Sequence, residues 1–130
     1  QYFLVRNFIS KNYKTKVYLC KTIRNSNGVA LSSRNKLINI ADLKISGLIA
    51  NKLTKLKNSL NKRNNLHDIS IIKTRELIQK TKVSLITKFN IKIEYLECRN
   101  LINLSTNLNN KPFKLFVCYY LNNLRLIDNF

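Results

Sequence analysis

Near residue 90 the spacing of apolar residues changes from a helical period to a strand period, and that change limits the possible folds more than any motif. Before it, Ala41, Ile45, Leu48, Ile49, Leu53, Leu56 and Leu60 recur at steps of mostly three and four, which puts them on one face of an α-helix. Asn39 stands where its side chain can cap that helix, and Gly47 weakens it slightly. The Asn- and Lys-rich residues 61–65 read as a loop, after which Asp68 caps a second helix over ISIIKTRELIQKTKVSLI, residues 69–86. From Ile91 the pattern alternates. IKIEYLEC, residues 91–98, reads as a half-buried strand and FKLFVCYYL, residues 113–121, as a more buried one, with NLSTNLNNKP as the loop between them. Helix, helix, strand, strand is a small α+β module with antiparallel strands. Core packing accounts for both helices, since neither apolar face carries convergent polar chemistry.

The first thirty residues have a different character. Phe3, Leu4, Phe8 and Ile9 fall at helical spacing in residues 2–12, and KTKVYLC, residues 14–20, reads as a strand. A helix passing into a strand and then into a loop with polar residues and Gly is the edge of an α/β unit whose partner strands lie elsewhere. The chain begins with Gln and not Met, which reads as the tail of a longer protein. Cys20, Cys98 and Cys118 are odd in number, form no CxxC pair and sit in strand-like contexts, as reduced core thiols of a cytosolic protein do. His67, the one histidine, is read as an exposed first-turn residue, because a lone imidazole cannot build a multi-ligand metal site.

Twenty-four Lys and Arg face six Asp and Glu, a formal charge of +18 over 130 residues. Such a balance raises nucleic-acid binding as a first idea, and a small basic ribosomal-type RNA-binding protein is the alternative function. Against it, the charges are mostly Lys, spread along the whole chain and mixed with abundant Asn and Ile. No apolar run approaches the roughly 20 residues needed to span a bilayer, and no charged-then-apolar signal segment opens the chain. A cytoplasmic chain with no specific nucleic-acid or membrane partner is expected.

GVALSSRN, residues 28–35, is the stretch with chemistry in it. Ser32 and Ser33 can donate hydroxyl hydrogen bonds to an anion, Arg34 can grip two phosphate oxygens at once, and Gly28 lets a loop turn close to a ligand. Ser33 or Asn35 could equally do no more than turn the chain into the next helix. Arg125 and Asp128, in LRLIDN, could pair across a turn and finish the last strand, and Asn122 and Asn123 can hold a left-handed turn where Gly is absent.

Taken together, TIRNSNGVALSSRN (22–35), IEYLECRN (93–100) and LRLIDN (124–129) resemble, in order and separation, three segments of the pantothenate synthetase (pantoate–β-alanine ligase) family. Lys21 stands where the family has Pro, Asn27 where it has Asp, Val29 where it has Leu and Glu94 where it has Asp. The resemblance implies a fold: residues 1–30 as the last helix and strand of a Rossmann-like nucleotidylyltransferase domain, and residues 31–130 as a small α+β lid domain. It implies an activity as well, the ATP-dependent condensation of pantoate with β-alanine through a pantoyl adenylate, with Mg²⁺ accompanying the nucleotide. By position, Ile23, Leu31, Ser32, Ser33 and Arg34 become ATP-binding residues, Arg34 the catalytic one, and Gln1 a pantoate contact; no residue of the chain is assigned to metal. The family's N-terminal domain would be missing, leaving the chain inactive alone, and the complete enzyme could be a homodimer.

Overall fold

The structure is a computed structural model that describes residues 2–65, 71–108 and 111–130. Among the described residues three helices, α1 (Tyr2–Asn12), α2 (Ile40–Asn65) and α3 (Ile71–Phe89), precede three strands, β1 (Lys92–Asn100), β2 (Phe113–Leu121) and β3 (Leu124–Asn129). A short 3₁₀ turn, Ser33–Leu37, leads into α2. The strands form one antiparallel sheet in the order β1-β2-β3.

The two periods meet in one core. Ile49, Leu53, Leu56 and Leu60 of α2 and Leu85 of α3 pack on the sheet face made by Leu96, Cys98, Phe113, Leu115, Val117, Tyr119 and Leu121. Leu53, Leu60, Leu85, Leu115 and Val117 are wholly buried. Leu48 falls off this stripe and is exposed, as is Ala41.

Asn39 caps α2 as its position suggested: its Oδ1 accepts from the Asp42 amide at 2.8 Å, and its Nδ2 donates to the Asp42 carboxylate at 2.9 Å. The far end of α2 differs from expectation, because residues 61–65 are helical. Lys and Arg are good helix formers and favour a helix C-terminus, so extending an existing helix through the three Asn costs little. α3 likewise runs past residue 86 to Phe89, closed by Asn90 in the left-handed region at φ 49°. The expectations for His67 and the Asp68 cap fall outside the described residues.

Residues 14–20 form no strand. A strand exists through its ladder, and with no neighbour the chain here stays without one and is mostly exposed, Tyr18 and Leu19 included. Cys20 is accordingly exposed, against the expectation of a core thiol, while Cys98 and Cys118 are buried. α1 forms where its spacing suggested but buries no residue. The long connection from β1 to β2 is organised by Asn100, 4 % exposed. Its Nδ2 donates to Ser105 Oγ and Asn107 O, and its Oδ1 accepts from the Ile102 and Asn103 amides. Between β2 and β3, Asn122 takes φ 51°, the left-handed turn expected of it.

Candidate functional site

Residues 23–37 fold back on themselves before entering α2. Asn25 organises the turn: its Oδ1 accepts from the amides of Asn27 and Val29 at 3.0 and 2.9 Å, and its own amide donates to Val29 O at 2.9 Å. Gly28 sits at φ +81°, a conformation that strains any L side chain, and its amide donates to Asn25 O. An isolated antiparallel bridge joins Arg24 to Ala30, and the Leu31 amide donates to Ile23 O at 2.9 Å. The result is a closed loop with Ile23 and Leu31 side by side at its mouth, both exposed.

The chain then turns at Ser32. Its backbone is extended (φ −151°, ψ 149°) and its Oγ accepts from the Arg34 amide at 3.2 Å, capping the 3₁₀ turn. Asn35 Nδ2 donates to Ala30 O at 2.9 Å. The side chains that hold the turn are thus those of Ser32 and Asn35, and the Ser33 hydroxyl takes no part in it. Capping uses a lone pair of Ser32 Oγ and leaves its O–H free to donate. Among the described residues no side-chain partner engages the Ser33 hydroxyl or the Arg34 guanidinium, and Ser32, Ser33 and Arg34 are all exposed. Two hydroxyl donors and a five-donor planar cation therefore stand together on a loop fixed at its base, an arrangement that can bind a polyanion. The structure brings Ile23, Leu31, Ser32, Ser33 and Arg34 into one region; Gln1 lies outside the described residues.

What fixes the base is a residue given no role on sequence grounds. Arg24 forms a bidentate ion pair with Asp128, NH1 to Oδ2 at 2.7 Å and NH2 to Oδ1 at 3.0 Å, and also donates to Gly28 O and Asn129 O. Its guanidinium lies 4.5 Å from the Phe130 ring centre. The expected Arg125–Asp128 pair across a turn is not formed. Along β3 these residues lie three apart and point to opposite faces of the sheet. Asp128 turns to the loop, and Arg125 pairs with Glu94 through Nε at 2.9 Å and NH2 at 2.8 Å. Arg125, together with donors on Cys118 and Tyr120, holds the Glu94 carboxyl down at about 2. The two segments 22–35 and 93–100 are thus each tied by a charge pair to the third, which is β3.

Away from the loop, Lys57 of α2 reaches under the sheet, its Nζ donating to Phe113 O and lying 3.2 Å from the Phe113 ring centre. Burial lowers its pKa to about 8, and burial pushes the nearby Cys98 thiol up to about 12. No cluster of three His, Cys, Asp or Glu groups able to hold a metal exists among the described residues. Nor is any described helix long and apolar enough to cross a membrane.

The sequence model for Pantoate-beta-alanine ligase matches residues 1–130. The chain is similar to pantothenate synthetase from Flavobacterium psychrophilum, 28 % identical over 133 residues that cover 97 % of this chain and 43 % of the relative. It is 32 % identical to pantothenate synthetase from Francisella philomiragia over 127 residues, 98 % of this chain and 36 % of the relative. The crystal structure of pantothenate synthetase from Thermus thermophilus shares its fold, with a TM-score of 0.74 at 20 % identity over 98 % of this chain and 44 % of that one. The pantoate-beta-alanine ligase of Francisella tularensis, solved with β-γ ATP and β-alanine, superposes with a TM-score of 0.56 at 24 % identity over 98 % of this chain and 38 % of that one. The chain spans less than half the length of these relatives.

Proposed function

Because this chain belongs to the pantoate–β-alanine ligase family, we propose that it serves as the C-terminal part of an ATP-dependent ligase joining pantoate to β-alanine. In the first step a pantoate carboxylate oxygen attacks the α-phosphorus of ATP, and the bond to the bridging oxygen breaks, releasing pyrophosphate. In the second, the amine of β-alanine attacks the carbonyl carbon of the pantoyl adenylate, loses a proton and expels AMP. The protein's task in such chemistry is to align the reactants and to place positive charge where negative charge builds.

In this reading Arg34 grips the departing pyrophosphate through two of its N–H groups while Ser32 and Ser33 donate to phosphate oxygens. Ile23 and Leu31 present exposed apolar surface and backbone beside them for the adenine. Gln1 is the pantoate contact. Residues 1–30 complete a Rossmann-like nucleotide-binding domain and residues 31–130 form the lid that brings Arg34 over the phosphates. Mg²⁺ bound with the nucleotide would supply countercharge to the phosphates, and no residue of this chain is assigned to hold it. The observation that carries the proposal is the pairing of Ser33 and Arg34 side chains, unpartnered among the described residues, with a loop base anchored through Arg24. The RNA-binding alternative has no such observation in its favour.

The test is a chimera in which this chain replaces the matching segment of the Flavobacterium psychrophilum relative, assayed for pantoate-dependent ATP–pyrophosphate exchange. Arg34→Ala should slow exchange by about 10²–10³-fold while changing pantoate binding far less, and Arg34→Lys should recover only part of the loss. Exchange within about twofold of the parent chimera, well short of a transition-state contact, would make the loop structural. The 130-residue chain assayed alone is expected to show no exchange.

A further inference from the structure

Arg24 and Arg34 stand ten residues apart at the two ends of one loop, and their surroundings are opposite. Arg34 is exposed with no partner among the described residues. Arg24 directs four hydrogen bonds of 2.7–3.0 Å into Gly28 O, the Asp128 carboxylate and Asn129 O, with its guanidinium face on Phe130. The Arg24 and Asp128 side chains are only 25 % and 13 % exposed. Little of that guanidinium is left for a ligand. The opposite side of the loop rests on α2: a Cβ at Gly47 would stand 3.0 Å from Asn27 Cβ and 3.2 Å from Asn27 O, so a side chain there makes Asn27 give way by a few tenths of an ångström. The loop is therefore held from two sides, by β3 through Arg24 and by α2 through the missing side chain of Gly47.

We infer that Arg24 is a positioning residue for polyphosphate binding. Its bidentate pair with Asp128 sets where Ser32, Ser33 and Arg34 stand, and it does not itself touch the phosphates. The inference rests on the reading of Ser32–Arg34 as a polyphosphate site. It makes a prediction of sign that a direct phosphate ligand would reverse. Replacing Asp128 by Asn removes the countercharge and releases the Arg24 fork. Were Arg24 a ligand, pyrophosphate would bind more tightly; as a positioning residue, its release loosens the loop and weakens binding.

The experiment titrates the ¹⁵N-labelled 130-residue chain with inorganic pyrophosphate and follows backbone amides and arginine side-chain signals by NMR. Saturable shifts at Ser33 and Arg34 are expected for the wild type and should be lost in Arg34→Ala. Asp128→Asn should weaken the affinity by about tenfold, the loss of roughly one charge-assisted hydrogen bond, with the amides of α2, α3 and the sheet core unmoved. Gly47→Ala, which leaves the ion pair intact, should weaken it in the same direction and serves if Asp128→Asn unfolds. Unchanged or tighter binding in a folded variant, or a lower melting temperature with the affinity preserved, overturns the positioning role alone. A wild type with no saturable shift overturns the polyphosphate site, and the inference with it.

Discussion

Three arginines of similar appearance in the sequence have three different fates. Arg24 is enclosed in a fourfold hydrogen-bonded seat, Arg125 is paired across the sheet, and Arg34 is exposed and unpartnered among the described residues. Only the last is available to a ligand, and sequence spacing could not separate them, because the charged partners of the other two lie 104 and 31 residues away. Glu94 is the clearest electrostatic consequence. It stands at the register shift between Ile93 and Tyr95, where it meets Arg125, Tyr120 and Cys118 together. Its carboxyl titrates at about 2 in the folded chain against an ordinary 4.5. A carboxyl held lower when folded adds stability that is complete above the ordinary value and is lost as pH falls through the folded one. Glu94→Gln should therefore lower the melting temperature near neutral pH, and its curve should approach that of the wild type between 4.5 and about 2. Since the pair is solvent-screened, the gap should also narrow with salt. A gap independent of pH would assign the effect to shape and not to charge.

At the scale of elements, the helical stripe was legible and its edges were not. Ile49, Leu53, Leu56 and Leu60 are buried as their spacing required, yet Leu48, one step from Ile49, is 52 % exposed. Periodicity gives a helix face within about a third of a turn, and the neighbouring element decides which border residue is covered. The difference is measurable by chemical denaturation: Leu53→Ala should cost about 2–5 kcal/mol through a cavity, and Leu48→Ala should stay within about 0.5 kcal/mol. Equal losses would place Leu48 in a contact that the fold does not contain. The converse error arose at residues 14–20, whose composition suits a strand but which have no ladder to join. Strand propensity describes fitness for a pleated, half-buried surface, and no such surface is available to that segment here.

Across the whole molecule, residues 40–130 bury their own core, whereas α1 and the segment after it leave Leu4, Phe8, Tyr13, Tyr18 and Leu19 exposed. That asymmetry does not extend to residues 24–30, where Arg24 pairs with Asp128 of β3 and Val29 is buried. The charge of +18 is a global property too. If it reflects composition and not a partner, RNA binding rests on counterion release. Two unrelated RNAs should then bind weakly and alike, with affinity falling roughly 10³-fold or more from about 50 to 200 mM salt if six or more phosphates are contacted. Fluorescence anisotropy checks this, and tight binding to one of them at physiological salt would revive the ribosomal alternative.

By itself the sequence determined what is local. Helical spacing selected α2 and α3, alternation selected β1 and β2, Asn39 and Asn122 took the cap and turn that their short polar side chains favour, and Ser32–Arg34 supplied the donors. These outcomes depend on a few adjacent residues and their backbone preferences. The tertiary structure alone decided the pairings: Arg24 with Asp128 rather than Arg125 with Asp128, Gly47 as a seat for Asn27 rather than a flaw in α2, and Cys20 outside the core. A charge or a small residue takes its partner from whatever the closed chain brings near it, and that proximity is written in the packing of α2 and β3 against the loop, not in the spacing of any one segment.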